Sequence, residues 1–245
     1  MSTPTIDINA DLGEGSGNDA QIMPLISSCS IACGGHYGDA NSMRSTIRLA
    51  KKHQVKIGAH PAFPDLDNFG RKMLYLSKSE LQKSLNEQLE NFQEICQQEE
   101  VQINHIKPHG ALYNQGSNHK DHVSAMIAAF EKADNSPALY LQKDSLLYRS
   151  AKDSFPLKLE AFIDRTYANE KSLASRTLAN AIISDPNDAW NQLISIFENQ
   201  TAIAINGNRI RIQADTFCIH GDQAHAVKTL RFIHKKLKEK QIELS

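Results

Sequence analysis

The chain has 245 residues, of which 40% are hydrophobic and 22% charged, and its formal net charge is −1. This length and apolar fraction allow a globular protein with a substantial core. A charge balance this close to neutral gives no general attraction to nucleic acids or to anionic membranes. The apolar runs are also too short to span a bilayer. We therefore expect neither a nucleic acid nor a membrane among the partners of this protein.

Four cysteines occur without the C-x-x-C spacing that is typical of zinc sites. The N-terminal residues lack the basic and apolar regions of a signal peptide. Because thiols stay reduced in the cytosol, the pattern favours a cytoplasmic protein with free thiols. The cysteines are Cys29, Cys33, Cys96 and Cys218.

Short apolar segments alternate with amphipathic segments along the chain, a pattern that predicts β-strands alternating with α-helices. The expected strands lie near residues 5–11, 28–33, 55–59, 101–107, 138–141, 157–163 and 216–219. The expected helices lie near residues 19–26, 39–50, 79–99, 121–133, 146–151, 190–197 and 223–240.

Local signals mark the start of two helices and one interruption of the alternation. Asp39 or Asn41 is placed to cap the second helix, and Ser77 with Glu80 has the capping-box pattern. Residues 201–213 contain two short apolar runs around Asn-Gly at 206–207, which predicts a β-hairpin with a tight turn. We find no linker, repeat or low-complexity tract, and we therefore predict a single domain over residues 1–245.

About seven β/α units predict a closed or nearly closed barrel of parallel strands, in which the active site lies at the C-terminal ends of the strands. Any one polar residue at a strand end can be a structural residue or a helix cap. Six groups at the same rim indicate a functional site instead. They are Asn9, Asp11 and Glu14; His36 and Asp39; His60; Lys107 and His109; Asp164 and Arg165; His220 and Asp222.

Carboxylates, imidazoles and a lysine at close quarters shift one another's pKa values, which suits acid–base catalysis. The chain contains neither a nucleophile elbow nor a G-x-x-x-x-G-K-[ST] nucleotide loop. A metal site that combines Asp11, His60 and His109 is geometrically possible. By contrast, His105 and His109 lie far apart along a strand and turn, although they are four residues apart.

Seven segments with distinctive motifs are spread over nearly the whole chain: DINADLGEG (7–15), IACGGHYGD (31–39), IGAHPAFPD (57–65), FGR (69–71), HIKPHGALYN (105–114), EAFIDRTY (160–167) and DTFCIHGD (215–222). In these segments the sequence resembles the LamB/YcsF family. It differs from the family's usual pattern at Gly35, Tyr37, Ala62, Phe63 and Lys72, which we expect to affect the pocket wall but not the polar residues.

The resemblance implies a β/α barrel of the glycoside hydrolase/deacetylase type. It also implies ATP-dependent opening of the lactam 5-oxo-L-proline to L-glutamate, together with two partner subunits, B and C. ATP would be a co-substrate whose contacts are shared with those partners, since the chain lacks a nucleotide loop of its own. Whether a divalent metal takes part is left open.

We predict two sets of site residues on this basis. Asp11 is expected to activate water, while Lys107, His109 or Arg165 stabilises the developing negative charge. Asp164 completes the predicted catalytic set. The predicted substrate-binding residues are Asn9, Glu14, His36, His60, Tyr113, His220 and Asp222.

Two other classes of function remain open. One is a metal-dependent carbohydrate deacetylase, whose usual paired aspartates on the first strand are not matched by Asn-Ala-Asp at 9–11. The other is a non-catalytic protein that binds a lactam or a sugar and presents it to a partner enzyme.

Overall fold

The computed structural model describes residues 3–245, in which seven parallel strands close into a barrel. The last strand pairs with both the first and the sixth, which completes the closure. This architecture confirms the predicted β/α barrel. In chain order the barrel strands are Ile8–Leu12, Ser28–Ala32, Lys56–His60, His105–Ile106, Ala138–Leu141, Leu157–Phe162 and Thr216–His220.

Helices surround the barrel, and the long ones bury one apolar stripe each. In Lys78–Gln98, for example, the buried residues recur at the 3.6-residue period of an amphipathic helix. The α-helices are Asp19–Ile22, Ala40–His53, Lys78–Gln98, Gly110–Asn114, Lys120–Phe130, Leu146–Ala151, Pro186–Asn199 and Ala226–Glu239, with 3-10 turns at Met23–Leu25 and Gly116–Asn118.

Both predicted helix caps are confirmed. The carboxylate of Asp39 accepts hydrogen bonds from the backbone N–H groups of Asn41 and Ser42. Ser77 and Glu80 form the reciprocal bonds of a capping box. None of the helices within residues 3–245 combines the length and the apolarity that crossing a membrane requires.

The predicted hairpin is present, with Thr201–Ile203 antiparallel to Arg209–Arg211. Its connection covers residues 204–208 and contains the predicted tight turn, in which the N–H of Gly207 donates to the carbonyl of Ala204 at 2.8 Å. Two further strand pairs were not predicted. Tyr167–Asn169 pairs with Ser172–Leu173, and Thr5–Ile6 pairs in parallel with Glu243–Leu244 near the chain ends.

Two predicted strands are shorter than the sequence pattern indicates. The first is interrupted at Asp7, whose carboxylate accepts hydrogen bonds from the hydroxyls of Thr216 at 2.6 Å and Ser28 at 3.1 Å. The fourth is only His105–Ile106 and is followed at once by the unpredicted helix Gly110–Asn114. This helix depends on a tertiary contact, because its Ala111 N–H donates to the carbonyl of Gly70 at 2.9 Å.

Candidate functional site

A cavity of about 550 Å³ opens at the C-terminal ends of the barrel strands. Asp11 and Lys107 lie among the residues that line it, together with a segment from Lys171 to Arg176. This volume is within the range of typical small-molecule sites. The position agrees with the general location of active sites in β/α barrels.

Lys107 is the central cation of the site, and it is only 2% exposed. Its Nζ lies 2.7 Å from Asp11 Oδ1 and 2.8 Å from Glu160 Oε1. It also lies 3.2 Å from Asn9 Oδ1 and 3.1 Å from Cys218 Sγ. Several barrel strands thus direct polar side chains onto one ammonium group.

The charges within this cluster keep Asp11 ionised. Burial favours the neutral carboxyl of Asp11, but its interactions with His60 and Lys107 lower its pKa well below the usual range. Burial likewise opposes the ammonium form of Lys107, yet the carboxylate of Asp11 helps to raise its pKa well above the ordinary value. The result is a buried ion pair at the cavity floor.

Three histidines and Glu14 form a second cluster beside this ion pair. Glu14 Oε1 lies 2.8 Å from His36 Nε2, 3.4 Å from His109 Nδ1 and 3.9 Å from His60 Nε2. The rings of His36 and His109 are stacked, with their centroids 3.6 Å apart. Burial lowers the pKa of both His36 and His109 well below the usual value, so these rings are neutral.

The pKa of the Glu14 carboxyl is shifted in the opposite direction to that of Asp11. Burial and the nearby charges of Asp11 and Asp222 raise its pKa well above the ordinary value. Two carboxyl groups whose environments separate their pKa values are a common arrangement for acid–base chemistry. His60 lies between them, because its Nε2 is 3.4 Å from Asp11 Oδ2.

The other predicted residues fall into two groups. Arg165, Tyr113 and His220 line the cavity, and Arg165 donates to the backbone carbonyl of Ala174 at 2.7 Å. Asp164 lies behind the cavity wall, where it accepts hydrogen bonds from the backbone N–H of His220 and from its Nδ1, each at 2.9 Å.

Asp222 and Asn9 also stand outside the cavity lining. The carboxylate of Asp222 is ion-paired with Arg71 at the rim. Asn9 lies deeper in the barrel, where its amide donates to the hydroxyl of Thr216 at 2.8 Å while its oxygen faces Lys107. Both residues therefore position groups that reach the cavity.

The sequence analysis missed several members of the site. Glu160 was not among the predicted residues, although a carboxylate within the apolar strand Leu157–Phe162 was the available signal. Arg71 and Arg176 line the cavity from loops whose positions only the fold decides. Cys218 was grouped with the other thiols, but its sulfur contacts the ammonium of Lys107.

His105 is excluded from the site, as its spacing from His109 predicted. Its Nε2 lies 3.1 Å from the hydroxyl of Ser30, and its ring stacks on Tyr140 inside the barrel. It fills the barrel interior opposite Gly58, where an added Cβ would come within 2.2 Å of the ring.

Comparison with known proteins identifies the family. A protein from Staphylococcus carnosus that is named as the A subunit of 5-oxoprolinase is 41% identical over 247 residues, which covers 98% of each chain. The crystal structure of a lactam utilization protein from Thermus thermophilus matches with a TM-score of 0.89 and 32% identity, covering 98% of both chains.

A family 4 carbohydrate esterase from Streptomyces lividans matches with a TM-score of 0.53 over 100% of this chain and 93% of the esterase. At 7% identity this likeness shows the barrel fold alone. The LamB/YcsF family model matches residues 6–245, which confirms the resemblance seen in the sequence motifs. This chain therefore belongs to the LamB/YcsF family.

Proposed function

We propose that this chain is the component of a 5-oxoprolinase that binds 5-oxo-L-proline and opens its lactam ring. The overall reaction converts 5-oxo-L-proline, ATP and two water molecules into L-glutamate, ADP and phosphate. The observation that carries the proposal is the full-length similarity to proteins named as the A subunit of 5-oxoprolinase, combined with the buried ion pair at the cavity floor. Partner subunits B and C complete the enzyme.

The charges along the cavity suit an anionic substrate. Arg71, Arg165, Lys171 and Arg176 all line it. Among the residues that the structure describes, Arg176 forms no salt bridge with a carboxylate, so its guanidinium is available to a ligand. Arginine pairs well with carboxylates and phosphates through parallel hydrogen bonds. The carboxylate of 5-oxo-L-proline and a phosphate on its lactam oxygen are both matched by this surface.

In the proposed chemistry, transfer of the γ-phosphoryl group of ATP to the lactam oxygen makes the ring carbon electrophilic and releases ADP. Water then adds to that carbon, the ring C–N bond breaks, and the nitrogen leaves as the amino group of γ-glutamyl phosphate. A second water releases phosphate and completes L-glutamate. Asp11 is ionised and accepts a proton from the attacking water, while Lys107 stabilises the negative charge on oxygen.

Since the sequence has no Walker loop, the nucleotide contacts in this scheme come from the partner subunits or from a shared interface. His60 and His109 both line the cavity beside the ion pair. Their rings are within contact of Asp11 and Glu14, whose pKa values are shifted in opposite directions.

The substitution Asp11→Asn tests this proposal, since Asn keeps the shape of the side chain but cannot take up the proton. With subunits B and C, ATP and 5-oxo-L-proline present, we expect glutamate formation to fall by about 10²- to 10⁴-fold. The exposed residue Asp67 provides a matched control, and Asp67→Asn should keep the wild-type rate.

Thermal melts and pull-down of the partner subunits must first show that the Asp11→Asn chain folds and assembles. A complex that contains this variant and works at the wild-type rate contradicts the catalytic role of Asp11. That result would favour a non-catalytic role in which the chain presents the lactam to another active site.

A further inference from the structure

We propose that Glu14, His36, His60 and His109 form a binding site for one divalent transition-metal ion of the zinc class. All four side chains are buried. Each offers one ligand atom, and these atoms lie within 4.8 Å of one another. The set differs from the combination of Asp11, His60 and His109 that the sequence suggested, because Glu14 and His36 take the place of Asp11.

Hydrogen bonds fix the tautomers of two of the rings. His60 Nδ1 lies 2.7 Å from the carbonyl oxygen of Lys107, and His109 Nε2 lies 3.0 Å from that of Phe69. Because a carbonyl oxygen only accepts, these nitrogens carry the protons. The remaining nitrogens, His60 Nε2 and His109 Nδ1, therefore present lone pairs to each other at 2.9 Å. A cation between two lone pairs removes their repulsion.

Glu14 provides a second, independent indication. Its carboxylate is 6% exposed, and histidines are the only basic residues within 4.0 Å of it in the described part of the chain. A buried carboxylate normally has a cationic partner or coordinates a metal ion. A divalent cation held between Glu14 and the three rings supplies that positive partner.

Four of the six distances between the ligand atoms lie close to the spacing expected in a tetrahedral zinc site. Zinc–nitrogen bonds of about 2.0–2.1 Å place neighbouring ligand atoms roughly 3.3 Å apart. The contacts of Glu14 Oε1 with His36, His109 and His60 measure 2.8, 3.4 and 3.9 Å, and the contact between His60 and His109 measures 2.9 Å. Three imidazoles and one carboxylate favour zinc and its transition-metal neighbours over magnesium or calcium.

The surrounding backbone holds these side chains in place. The carbonyls of Lys107 and Phe69 act as the hydrogen-bond acceptors that commonly orient metal-binding imidazoles. Gly70 has φ +62°, and an added Cβ would lie 2.8 Å from His36 Cβ and 3.0 Å from His109 Cδ2. Close approach of this loop to both rings thus requires glycine.

The site lies at the edge of the cavity, because His60 and His109 line it whereas Glu14 and His36 lie behind them. When bound, such an ion acts as a Lewis acid toward a carbonyl or phosphoryl oxygen. That link to lactam opening rests on the proposed function. Occupation of the site does not, because metal binding can be measured without substrate or partner subunits.

Metal titration of the purified full-length chain tests the site. After dialysis against a chelator, Zn²⁺ or Co²⁺ is added, and bound metal per chain is measured by elemental mass spectrometry and by the visible absorption of Co²⁺. We expect one ion per chain and a rise in Tm on addition of Zn²⁺. Mg²⁺ should not compete.

Single substitutions of the ligands give the sharper result. His36→Gln, His109→Gln and Glu14→Gln should each weaken binding by about 100-fold or more, which is the upper range for loss of a supporting group. His234 on the last helix contacts the carbonyl of Leu25 at 2.8 Å far from the cluster, so His234→Gln should bind like the wild type.

Circular dichroism identifies the variants that fold, and Glu14→Gln keeps the size of the side chain in case a histidine variant does not. Failure of the folded wild-type chain to bind one ion overturns the proposal. Unchanged affinity in the folded ligand variants also overturns it. Either result would instead indicate a proton shared between His60 and His109.

Discussion

Lys107 differs from a surface lysine because two carboxylates, Asp11 and Glu160, meet its ammonium inside the barrel. Burial of all three groups removes the water that would otherwise solvate them. Such a cluster is stable only while the charges remain paired. The same pairing places one positive charge at a defined point of the cavity floor, where developing negative charge on a substrate can be stabilised.

We predict that Lys107→Met affects both stability and turnover. Removing one member of a buried ion pair leaves uncompensated charge, so the free energy of unfolding should fall by about 3–5 kcal/mol. Turnover with the partner subunits should fall by about 10²- to 10³-fold. Urea denaturation and glutamate formation measure the two effects.

Lys83→Met is the matched control for this change, because Lys83 lies on a helix surface with 80% of its side chain exposed. It should change stability by less than about 1 kcal/mol. Adding Glu160→Gln to Lys107→Met should restore part of the lost stability, since it removes one unpaired charge. Wild-type stability of Lys107→Met would contradict the buried ion-pair description.

The four cysteines divide into two kinds. Cys29, Cys33 and Cys96 are buried hydrophobic groups, and burial raises the pKa of Cys96 to about 12. We predict that the native chain resists thiol reagents at these three positions, because the thiolate is the reactive form. Replacing all three with alanine should lower the free energy of unfolding by about 1 kcal/mol per substitution and leave turnover near the wild-type rate.

Thiol titration, denaturation and activity assays check these expectations. Cys218 is kept in that variant because its sulfur is 3.1 Å from Lys107 Nζ. Complete loss of turnover in a well-folded triple variant would show that one of the three thiols takes part in the chemistry.

At the scale of elements, the capping box at the start of helix Lys78–Gln98 depends on neighbouring residues in the sequence and not on the functional site. Ser77 Oγ accepts from the backbone N–H of Glu80, and Glu80 Oε2 accepts from that of Ser77 at 2.9 Å. We predict that Ser77→Ala lowers the free energy of unfolding by about 0.5–2 kcal/mol without changing turnover.

Ser150→Ala is the comparison, since Ser150 is an exposed helical serine with no capping role. It should leave stability nearly unchanged in the same denaturation assay. Equal stability of Ser77→Ala and the wild type would mean that tertiary packing alone fixes the start of this helix.

The loop that contains Phe69 and Gly70 is the element that joins the site to its surroundings. Its carbonyls accept hydrogen bonds from His109 Nε2 at 3.0 Å and from the N–H of Ala111 at 2.9 Å. The loop therefore fixes both a ring of the histidine cluster and the start of helix Gly110–Asn114. Loop residues acquire functional importance in this way when a rigid barrel holds their ends.

At the scale of the whole molecule, closure of the barrel brings residues from both ends of the chain to one rim. His220 on the last strand pairs in register with Asp11 on the first. Because parallel strands share a direction, their C-terminal residues meet at one edge. That edge carries the ion pair, the histidine cluster and the arginines.

We predict that the isolated chain forms little or no glutamate from 5-oxo-L-proline and ATP. The reason is that the sequence provides no Walker loop, and in the proposed scheme nucleotide contacts are shared with, or supplied by, the partner subunits. Glutamate formation should appear when subunits B and C are added. Robust ATP-dependent turnover by the chain alone, free of contaminating partners, would contradict this division of labour.

The sequence by itself determined the alternation of strands and helices, the caps at Asp39 and Ser77, and the rim position of most polar residues. These features depend on local periodicity and on residues a few positions apart, which a single sequence displays directly. The family motifs were also readable, because they are continuous segments that match residue by residue.

Only the tertiary structure decided which of those polar residues meet. Lys107 is 53 residues from Glu160 and 98 residues from Asn9 along the chain, so no local signal predicts these contacts. Barrel closure nevertheless places all three side chains together. The grouping of Glu14 with three histidines likewise depends on loop positions set by long-range packing. Periodicity indicates which face of a strand or helix a residue occupies. The distances between side chains on different elements follow from closure of the barrel.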